Sequence, residues 1–150
     1  MAERFRKPNR LPDYDYSQCG TYHITICTHD RKNQFWTGNN SYILSEVGNI
    51  VDAAIRQIPQ RYPYVVLEHY VVMPNHVHIL MTLSNDCEKQ AVSTIIGHMK
   101  RWVTMKVGRP LWQKGFNDRV IRNEEEFYIK WRYIDTNPLR WETDEFFYYE

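Results

Sequence analysis

Hydrophobic and polar residues alternate along two short stretches of the chain, which is the pattern of β-strands that bury one face. The clearest stretch follows a turn signal at 73–75 and covers residues 76–83. The stretches 21–28 and 65–72 predict two further strands, and the latter pairs with 76–83 as a hairpin. In the clearest stretch the alternation places Val77, Ile79, Met81 and Leu83 on one face, and His76, His78, Leu80 and Thr82 on the other.

Two further stretches repeat apolar residues every three or four positions, the spacing of one helix face. The first begins after Ser45, a residue type that caps helix N-termini, and ends where Pro59 interrupts the pattern. The second begins after Asn85 and ends before Gly108. A short stretch at 116–121 then predicts an edge strand. The buried stripe predicted for the second helix is Val92, Ile95, Ile96, Met99, Trp102 and Val103.

A third helix is well marked near the C-terminus. Asn123 can cap it, with Glu126 at the capping-box position, and acidic residues in the first turn suit the helix dipole. The helix ends at Asn137, because the residue before a proline disfavours helical backbone. Its predicted buried face consists of Phe127, Trp131 and Ile134.

These elements predict one α+β domain over 1–150, with residues 1–16 as an N-terminal arm. The sequence shows neither an apolar signal-peptide run nor the roughly 18 consecutive apolar residues of a membrane span. We therefore expect a soluble protein of the cytoplasm with no membrane partner. The cysteines, Cys19, Cys27 and Cys87, lack C-x-x-C spacing and are expected to be reduced thiols rather than a disulfide or zinc site.

Charge is distributed unevenly, although the net charge is only +1. Residues 89–122 contain eight Lys or Arg and one acid, whereas 123–150 contain three basic residues and eight acids. Such a basic region is compatible with a phosphate backbone, and it is equally compatible with a solvated face. Trp112 beside Lys114 either packs in the core or stacks on a nucleotide. The predicted DNA contacts are Arg4, Lys7, Arg10, Lys100, Arg101, Trp112, Lys114 and Arg119.

The two histidines of the clearest strand are candidate metal ligands. His76 and His78 lie about 6 to 7 Å apart on one strand face, so both can reach one ion above the sheet. Tyr133 and Asn137 share one side of the last helix. If that helix packs on the histidine face, Asn137 can offer an amide oxygen to the ion and Tyr133 a phenolic oxygen to its substrate. His23 is expected to be structural.

Four segments resemble the HUH single-strand DNA transposases, and most closely the REP-associated tyrosine transposases. They are RLPDYDYSQCGTYHITICTHDR, YVVMPNHVHILM, WQKGFNDRVIRNEEEF and YIDTNPLRWETD. The resemblance implies a ferredoxin-like antiparallel sheet with packed helices, and Mg²⁺ or Mn²⁺ held by His76, His78 and Asn137. It further implies that Tyr133 cleaves single-stranded DNA beside a hairpin, either REP-like or at an insertion-sequence end. The tyrosine keeps the 5′ phosphate, a 3′ hydroxyl is released, and the strands are later rejoined.

Other classes of protein share parts of this pattern. Many insertion-sequence relatives carry glutamine at the position of Asn137, so the amide here is one methylene shorter. A histidine-triad hydrolase would need a third histidine where the chain has Leu80. A cupin-like metal enzyme would give Tyr133 no role, and a non-catalytic hairpin-binding protein would bind DNA without a covalent adduct. Both a monomer and a homodimer are compatible with the resemblance.

Overall fold

The computed structural model describes residues 19–37, 43–84, 87 and 91–146. The predicted arm at 1–16, with its candidate DNA contacts Arg4, Lys7 and Arg10, lies outside the described residues. Within the described ranges, no helix is both long and apolar enough to cross a membrane.

The described strands form one antiparallel sheet with the order β2-β3-β1-β4. The register of its central pair sets Thr25 opposite His78 and Cys27 opposite His76. The predicted hairpin is confirmed, since β2 pairs directly with β3, and the predicted edge strand is confirmed as β4. The strands are β1 (Gly20–Cys27), β2 (Val65–Val72), β3 (His76–Leu83) and β4 (Asn117–Ile121).

Four α-helices follow the order β1-α1-α2-β2-β3-α3-β4-α4, which with this strand order is the predicted ferredoxin-like α+β fold. Pro59 lies in the first turn of the short helix α2, where the missing N–H is not needed, so it separates two helices instead of ending one. A 3-10 helix, Asn137–Thr143, continues directly from α4. The α-helices are α1 (Glu46–Arg56), α2 (Ile58–Arg61), α3 (Ala91–Val107) and α4 (Glu124–Thr136).

The main apolar core lies between α1, α3 and one face of the sheet. The predicted stripe of α3 is confirmed, although Trp102 is only partly buried. Every second residue of β1 and β3 points into this core, as the alternation predicts. The largest fully buried side chains of these elements are Tyr22, Ile24, Ile26, Ile79, Met81, Ile55, Ile95 and Ile96.

The opposite sheet face is covered by α4, and there Leu80 and Ile134 are fully buried. The prediction that Trp131 shares the buried face of α4 is wrong. Its side chain is 38% exposed, and its ring stacks on His69 of β2 at 4.4 Å. Because α4 lies mainly over β2, an edge strand, residues beside Ile134 on the helix face the rim of the sheet. Phe127 is likewise only partly buried.

The prediction that all three cysteines are free thiols is wrong, because Cys19 and Cys87 form a disulfide. The strand register explains the pairing. Gly20 lies opposite Leu83, so the residue before β1 and the segment after β3 meet at the same end of the sheet. Cys27 is free and buried, and burial raises the pKa of its thiol to about 12.

The start of α1 is fixed by contacts with the segment before it. Ser45 Oγ accepts a hydrogen bond from Gly48 N at 3.0 Å and donates one to Gln34 O at 2.6 Å. The helix thereby approaches the backbone so closely that a Cβ on Gly48 would lie 2.1 Å from Phe35 O. Glycine is required at this position because any side chain would displace the chain at Phe35.

Gly48→Ala is therefore expected to lower the free energy of unfolding by about 3 kcal/mol, at the upper end of typical overpacking costs. Urea denaturation followed by circular dichroism measures the change. Gly97→Ala is the matched control, because the nearest atom to its added Cβ is the flexible Arg101 Nη1 at 3.4 Å. Alanine favours helix over glycine, so this control is expected to raise stability by about 0.5 to 1 kcal/mol. Equal effects of the two changes would contradict the close approach at Gly48.

Candidate metal and nucleophile site

Two histidine side chains meet on the α4 side of β3. His76 is 0% exposed and His78 is 2% exposed, and their ring centroids lie 4.8 Å apart. Burial lowers the pKa of His78 to about 3. Burial also lowers the pKa of His76 well below its ordinary value, and the charge of His78 is the second cause of that shift. Both imidazoles are therefore neutral at pH 7, which is the form that binds a metal ion.

The protonated nitrogen of His76 is determined by its neighbour Asn75. The Asn75 amide group donates to Arg31 O at 3.1 Å and to Phe146 O at 2.7 Å, so its oxygen is the group that faces the imidazole. His76 Nδ1 lies 2.8 Å from that oxygen and must carry the hydrogen. His76 Nε2 consequently holds a lone pair.

His78 is oriented by two side chains of β1. Its Nδ1 atom lies 3.1 Å from Thr25 Oγ1 and 3.1 Å from His23 Nε2. His23 itself is buried, and burial is the main reason that its pKa lies well below the ordinary value. The sequence pattern gave His23 a structural role but not this contact. The alternation of β1 places His23 on the same strand face as Thr25, and this was the sequence feature that could have indicated the contact. Only the strand register shows that this face lies beside His78.

Three buried polar atoms close to these rings have no hydrogen-bond partner in the described part of the chain: His76 Nε2, His78 Nε2 and Asn137 Oδ1. Asn137 is 2% exposed, and its amide nitrogen donates to Asp144 Oδ2 at 2.9 Å, which leaves the oxygen on the free side. Its side chain lies near enough to His76 to oppose the fall of that imidazole's pKa. Since buried polar atoms are nearly always paired, two imidazole nitrogens and one amide oxygen that lack partners beside each other fit a cation site.

The donor set is two imidazoles and one amide oxygen. Within the described ranges, no three His, Cys, Asp or Glu side chains converge as metal ligands. The amide oxygen, together with phosphate oxygens and water, suits Mg²⁺ or Mn²⁺, whereas the two imidazoles are also ligands of transition metals such as Zn²⁺. The residues present therefore fit the ion that the sequence resemblance implies.

Tyr133 of α4 lies at the edge of this site within the same chain. Its ring centroid is 5.2 Å from that of His78 and 6.3 Å from that of His23, and both contacts are edge-to-face. Two cations flank the ring, with Lys130 Nζ at 5.9 Å and Arg140 Cζ at 5.7 Å from its centroid. A tyrosine, neutral imidazoles and two cations are thus brought together without a second protomer.

Thr25→Val tests how much the β1 contacts matter for the imidazoles. Valine keeps the shape of threonine but removes the hydroxyl near His78 Nδ1. Loss of such an outer contact is expected to weaken Mn²⁺ binding about 10-fold, the lower end of the range for this type of contact, because His23 remains. Isothermal titration calorimetry measures the affinity. Thr21→Val is the matched control on the same strand face, since Thr21 bonds Thr82 away from the imidazoles. An unchanged Mn²⁺ affinity in Thr25→Val would contradict the orienting role.

The predicted DNA contacts occupy several parts of the surface. Lys114 and Arg119 are exposed, and Arg119 lies opposite His23 on β4, on the same sheet face as the imidazoles. Arg101 is exposed on α3, which covers the other face. Lys100 donates to the backbone oxygens of Gln113 and Gly115 at 3.1 and 2.7 Å, contacts that hold a loop. The Trp112 ring packs on Phe35 at 5.6 Å. Three cations that lie over aromatic rings beside the site, Arg31, Lys130 and Arg140, were not among the predicted contacts.

No family model matches the chain. An uncharacterised Haemophilus influenzae protein is 28% identical, over 95% of this chain and 93% of its own length. A second protein of that organism, named as a candidate REP-associated tyrosine transposase, is 24% identical over 84% of this chain and 74% of its own length.

Two solved structures share the architecture. A REP-associated tyrosine transposase bound to a REP hairpin superposes with a TM-score of 0.69 at 24% identity, over 87% of this chain and 73% of that one. A candidate transposase from Deinococcus radiodurans superposes with a TM-score of 0.53 at 16% identity, over 85% of this chain and 97% of that one. The fold is therefore that of a REP-associated tyrosine transposase, and the resemblance inferred from the sequence motifs is confirmed.

Proposed function

We propose that this protein is a metal-dependent transposase of single-stranded DNA, which cleaves beside a DNA hairpin and rejoins strands through Tyr133. The observation that carries the proposal is the meeting of three unpaired buried polar atoms, two imidazole nitrogens and one amide oxygen, with Tyr133 on one sheet face. Sequence similarity to a protein named as a candidate REP-associated tyrosine transposase supports the same class of activity.

His76 Nε2, His78 Nε2 and Asn137 Oδ1 would hold the divalent cation, Mg²⁺ or Mn²⁺. Such an ion polarises a phosphodiester oxygen and stabilises the negative charge that develops during displacement. The chain itself prepares the site. Asn75 and Thr25 fix the ring orientations, and burial keeps both imidazoles neutral.

Tyr133 would act as the nucleophile. Its phenolic oxygen attacks the phosphorus of the scissile linkage and gives up its proton to water, while the bond from phosphorus to the 3′ oxygen breaks. The 3′ oxygen takes up one proton from water and leaves as a 3′ hydroxyl. The 5′ phosphate remains on Tyr133 as a phosphodiester, so a later 3′ hydroxyl can reverse the step and join two strands. Lys130 and Arg140 lie over the Tyr133 ring and would neutralise the charge of the phosphate beside it.

The substrate class follows from charge and from the structural neighbour. That neighbour was solved with a REP hairpin bound, and the basic region of the present chain, 89–122, suits a phosphate backbone. We therefore propose single-stranded DNA with an imperfect hairpin and unpaired flanking nucleotides as the substrate.

The test incubates the full-length protein with Mn²⁺ or Mg²⁺ and a labelled panel of imperfect DNA hairpins that carry randomised flanks. A denaturing gel then separates free DNA from protein-bound DNA. We expect a metal-dependent, denaturant-resistant band and a released strand with a 3′ hydroxyl. Hairpin binding without any such band would instead assign a non-catalytic hairpin-binding role and overturn the proposed chemistry.

A further inference from the structure

Helix α4 carries Tyr133, but few of its side chains are buried. Among the residues of α4, all of which the structure describes, only Ile134 is fully buried. A helix with so little buried apolar surface can rotate about its own axis. Such a rotation would carry the phenol of Tyr133 toward the imidazoles or away from them. The orientation of α4 therefore depends on its other contacts with the sheet.

His69 of β2 makes two such contacts. Its ring stacks on that of Trp131, with the centroids 4.4 Å apart and the ring planes inclined by 25°. Its Nε2 atom lies 3.1 Å from Asp135 Oδ1 and carries the hydrogen, because a carboxylate oxygen accepts. Trp131 and Asp135 are one helical turn apart on the same side of α4, so one imidazole holds two successive turns. We call these three residues the α4 clamp.

An irregularity in β2 aims His69 at the helix. Leu67 pairs with Met81 and His69 pairs with Leu80, so Glu68 is an extra residue in the strand. Since side chains alternate along a strand, the extra residue turns His69 to the sheet face on which Leu80 is covered by α4. In a regular strand His69 would point to the opposite face. Bulges that redirect a side chain in this way are common beside functional sites.

The α4 clamp and the proposed nucleophile lie on opposite flanks of the helix. At about 100° per residue, Trp131 and Asp135 project about 40° apart on one flank. Tyr133 and Asn137 project about 40° apart on the other flank, and Ile134 lies between the two pairs. A rotation that lifts one flank from the sheet lowers the other. The contacts of the clamp with β2 therefore set how close Tyr133 lies to the imidazoles.

We propose that His69 is a positioning residue, which fixes the rotation of α4 so that Tyr133 meets the scissile phosphate beside the metal site. The proposal rests on the proposed function. Because His69 is partly exposed and Asp135 is exposed, their contact contributes little to the free energy of folding. Its effect is on geometry. A misplacement of about 1 Å can slow a reaction about 100-fold, so a small rotation of α4 is sufficient to impair attack.

The test measures single-turnover adduct formation at saturating Mn²⁺ and saturating hairpin DNA, with the hairpin from the panel that binds most tightly. Under these conditions only the chemical step is compared. His69→Ala and Trp131→Ala are each expected to lower the rate about 100-fold and to leave hairpin affinity within about twofold. Because both residues act through one clamp, the double variant should be no slower than the slower single variant.

Conservative variants separate positioning from a general loss of structure. Asp135→Asn keeps an oxygen that accepts from His69 Nε2 and should retain the wild-type rate, whereas Asp135→Ala should be slow. Asp135 is exposed, so its loss should not unfold the protein. Glu125→Ala and Ile129→Ala are the matched controls on the same helix, since both side chains are exposed. Both controls should form the adduct at the wild-type rate.

A second readout reports the position of Tyr133 without any reaction. Fluorotyrosine is incorporated at position 133, and fluorine NMR records the chemical shift of its ring beside the imidazole of His78. In the His69→Ala background this signal is expected to move toward the shift of free fluorotyrosine. In the Ile129→Ala background it should stay at the wild-type position.

Three results would overturn the proposal. One is a wild-type rate of adduct formation in His69→Ala. Another is a double variant whose loss equals the product of the two single losses, since His69 and Trp131 would then act independently. The third is a slow His69→Ala protein whose fluorine signal stays at the wild-type position. If the wild-type protein forms no adduct, the proposed function fails, and the fluorine signal alone then decides whether the clamp positions Tyr133.

Discussion

Replacing Tyr133 with phenylalanine is expected to abolish the covalent protein–DNA adduct while leaving hairpin affinity within about twofold. Phenylalanine keeps the edge-to-face contacts with His78 and His23, so the site should retain its packing. Only the attacking oxygen is lost. Removal of the proposed nucleophile is expected to lower the rate by at least about 1,000-fold, because phenylalanine has no oxygen that could attack phosphorus. Single-turnover gels with labelled DNA measure the rate.

Tyr128→Phe is the matched control for this change. Tyr128 lies on the same helix, but its side chain is 54% exposed. The control should form the adduct at the wild-type rate. If Tyr133→Phe formed the adduct and Tyr128→Phe did not, the nucleophile would be misassigned. If both variants formed it, the tyrosine mechanism would fail.

Replacing His78 with alanine is expected to remove metal binding and, with it, the adduct. The wild-type protein should be stabilised by Mn²⁺, because the ion binds the native state alone. At a free concentration about 100-fold above Kd this amounts to about 2.7 kcal/mol. The variant should show no shift of Tm with Mn²⁺, since one of the three unpaired polar atoms is gone. Differential scanning calorimetry with and without the ion measures the shift.

His98→Ala is the appropriate comparison, because His98 is an exposed histidine on α3, away from the imidazole pair. It should retain the full Mn²⁺-dependent shift. A His78→Ala protein that is still stabilised by Mn²⁺ to the wild-type extent would show that the ion binds elsewhere. Measuring the shift, and not Tm itself, separates loss of the ion from the cavity that alanine leaves in a buried site.

Local sequence patterns predicted most of the strands and helices of the fold. The alternation at 76–83 and the apolar spacing of α3 predicted elements that the structure confirms, because periodicity reports directly which residues face a core. The cap at Asn123 was also correct, since its side chain accepts from Glu126 N at 2.8 Å. The Glu126 carboxylate, however, accepts from Arg122 N instead of from Asn123 N, so the capping box is shifted by one residue.

The predictions that were wrong concern contacts between residues that are distant in the sequence. Cys19 and Cys87 are 68 residues apart, and no spacing rule connects them until β1 and β3 pair. The exposure of Trp131 depends on where α4 lies over the sheet, which its own periodicity does not encode. The contact of His23 with His78 has the same origin, because it joins β1 to β3, a strand from another part of the chain.

The sequence by itself determined which residues could serve as ligands and nucleophile. Residue type identifies the imidazole, amide and phenol groups, and short spacings show which of them share one face of a strand or helix. It also determined which strand and which helix carry them. Only the tertiary structure decided that these groups meet within one chain, with neutral imidazoles and three buried polar atoms that lack hydrogen-bond partners. The physical reason is that strand register and helix packing bury the site. Burial keeps the imidazoles neutral, and it makes a polar atom without a hydrogen-bond partner energetically costly.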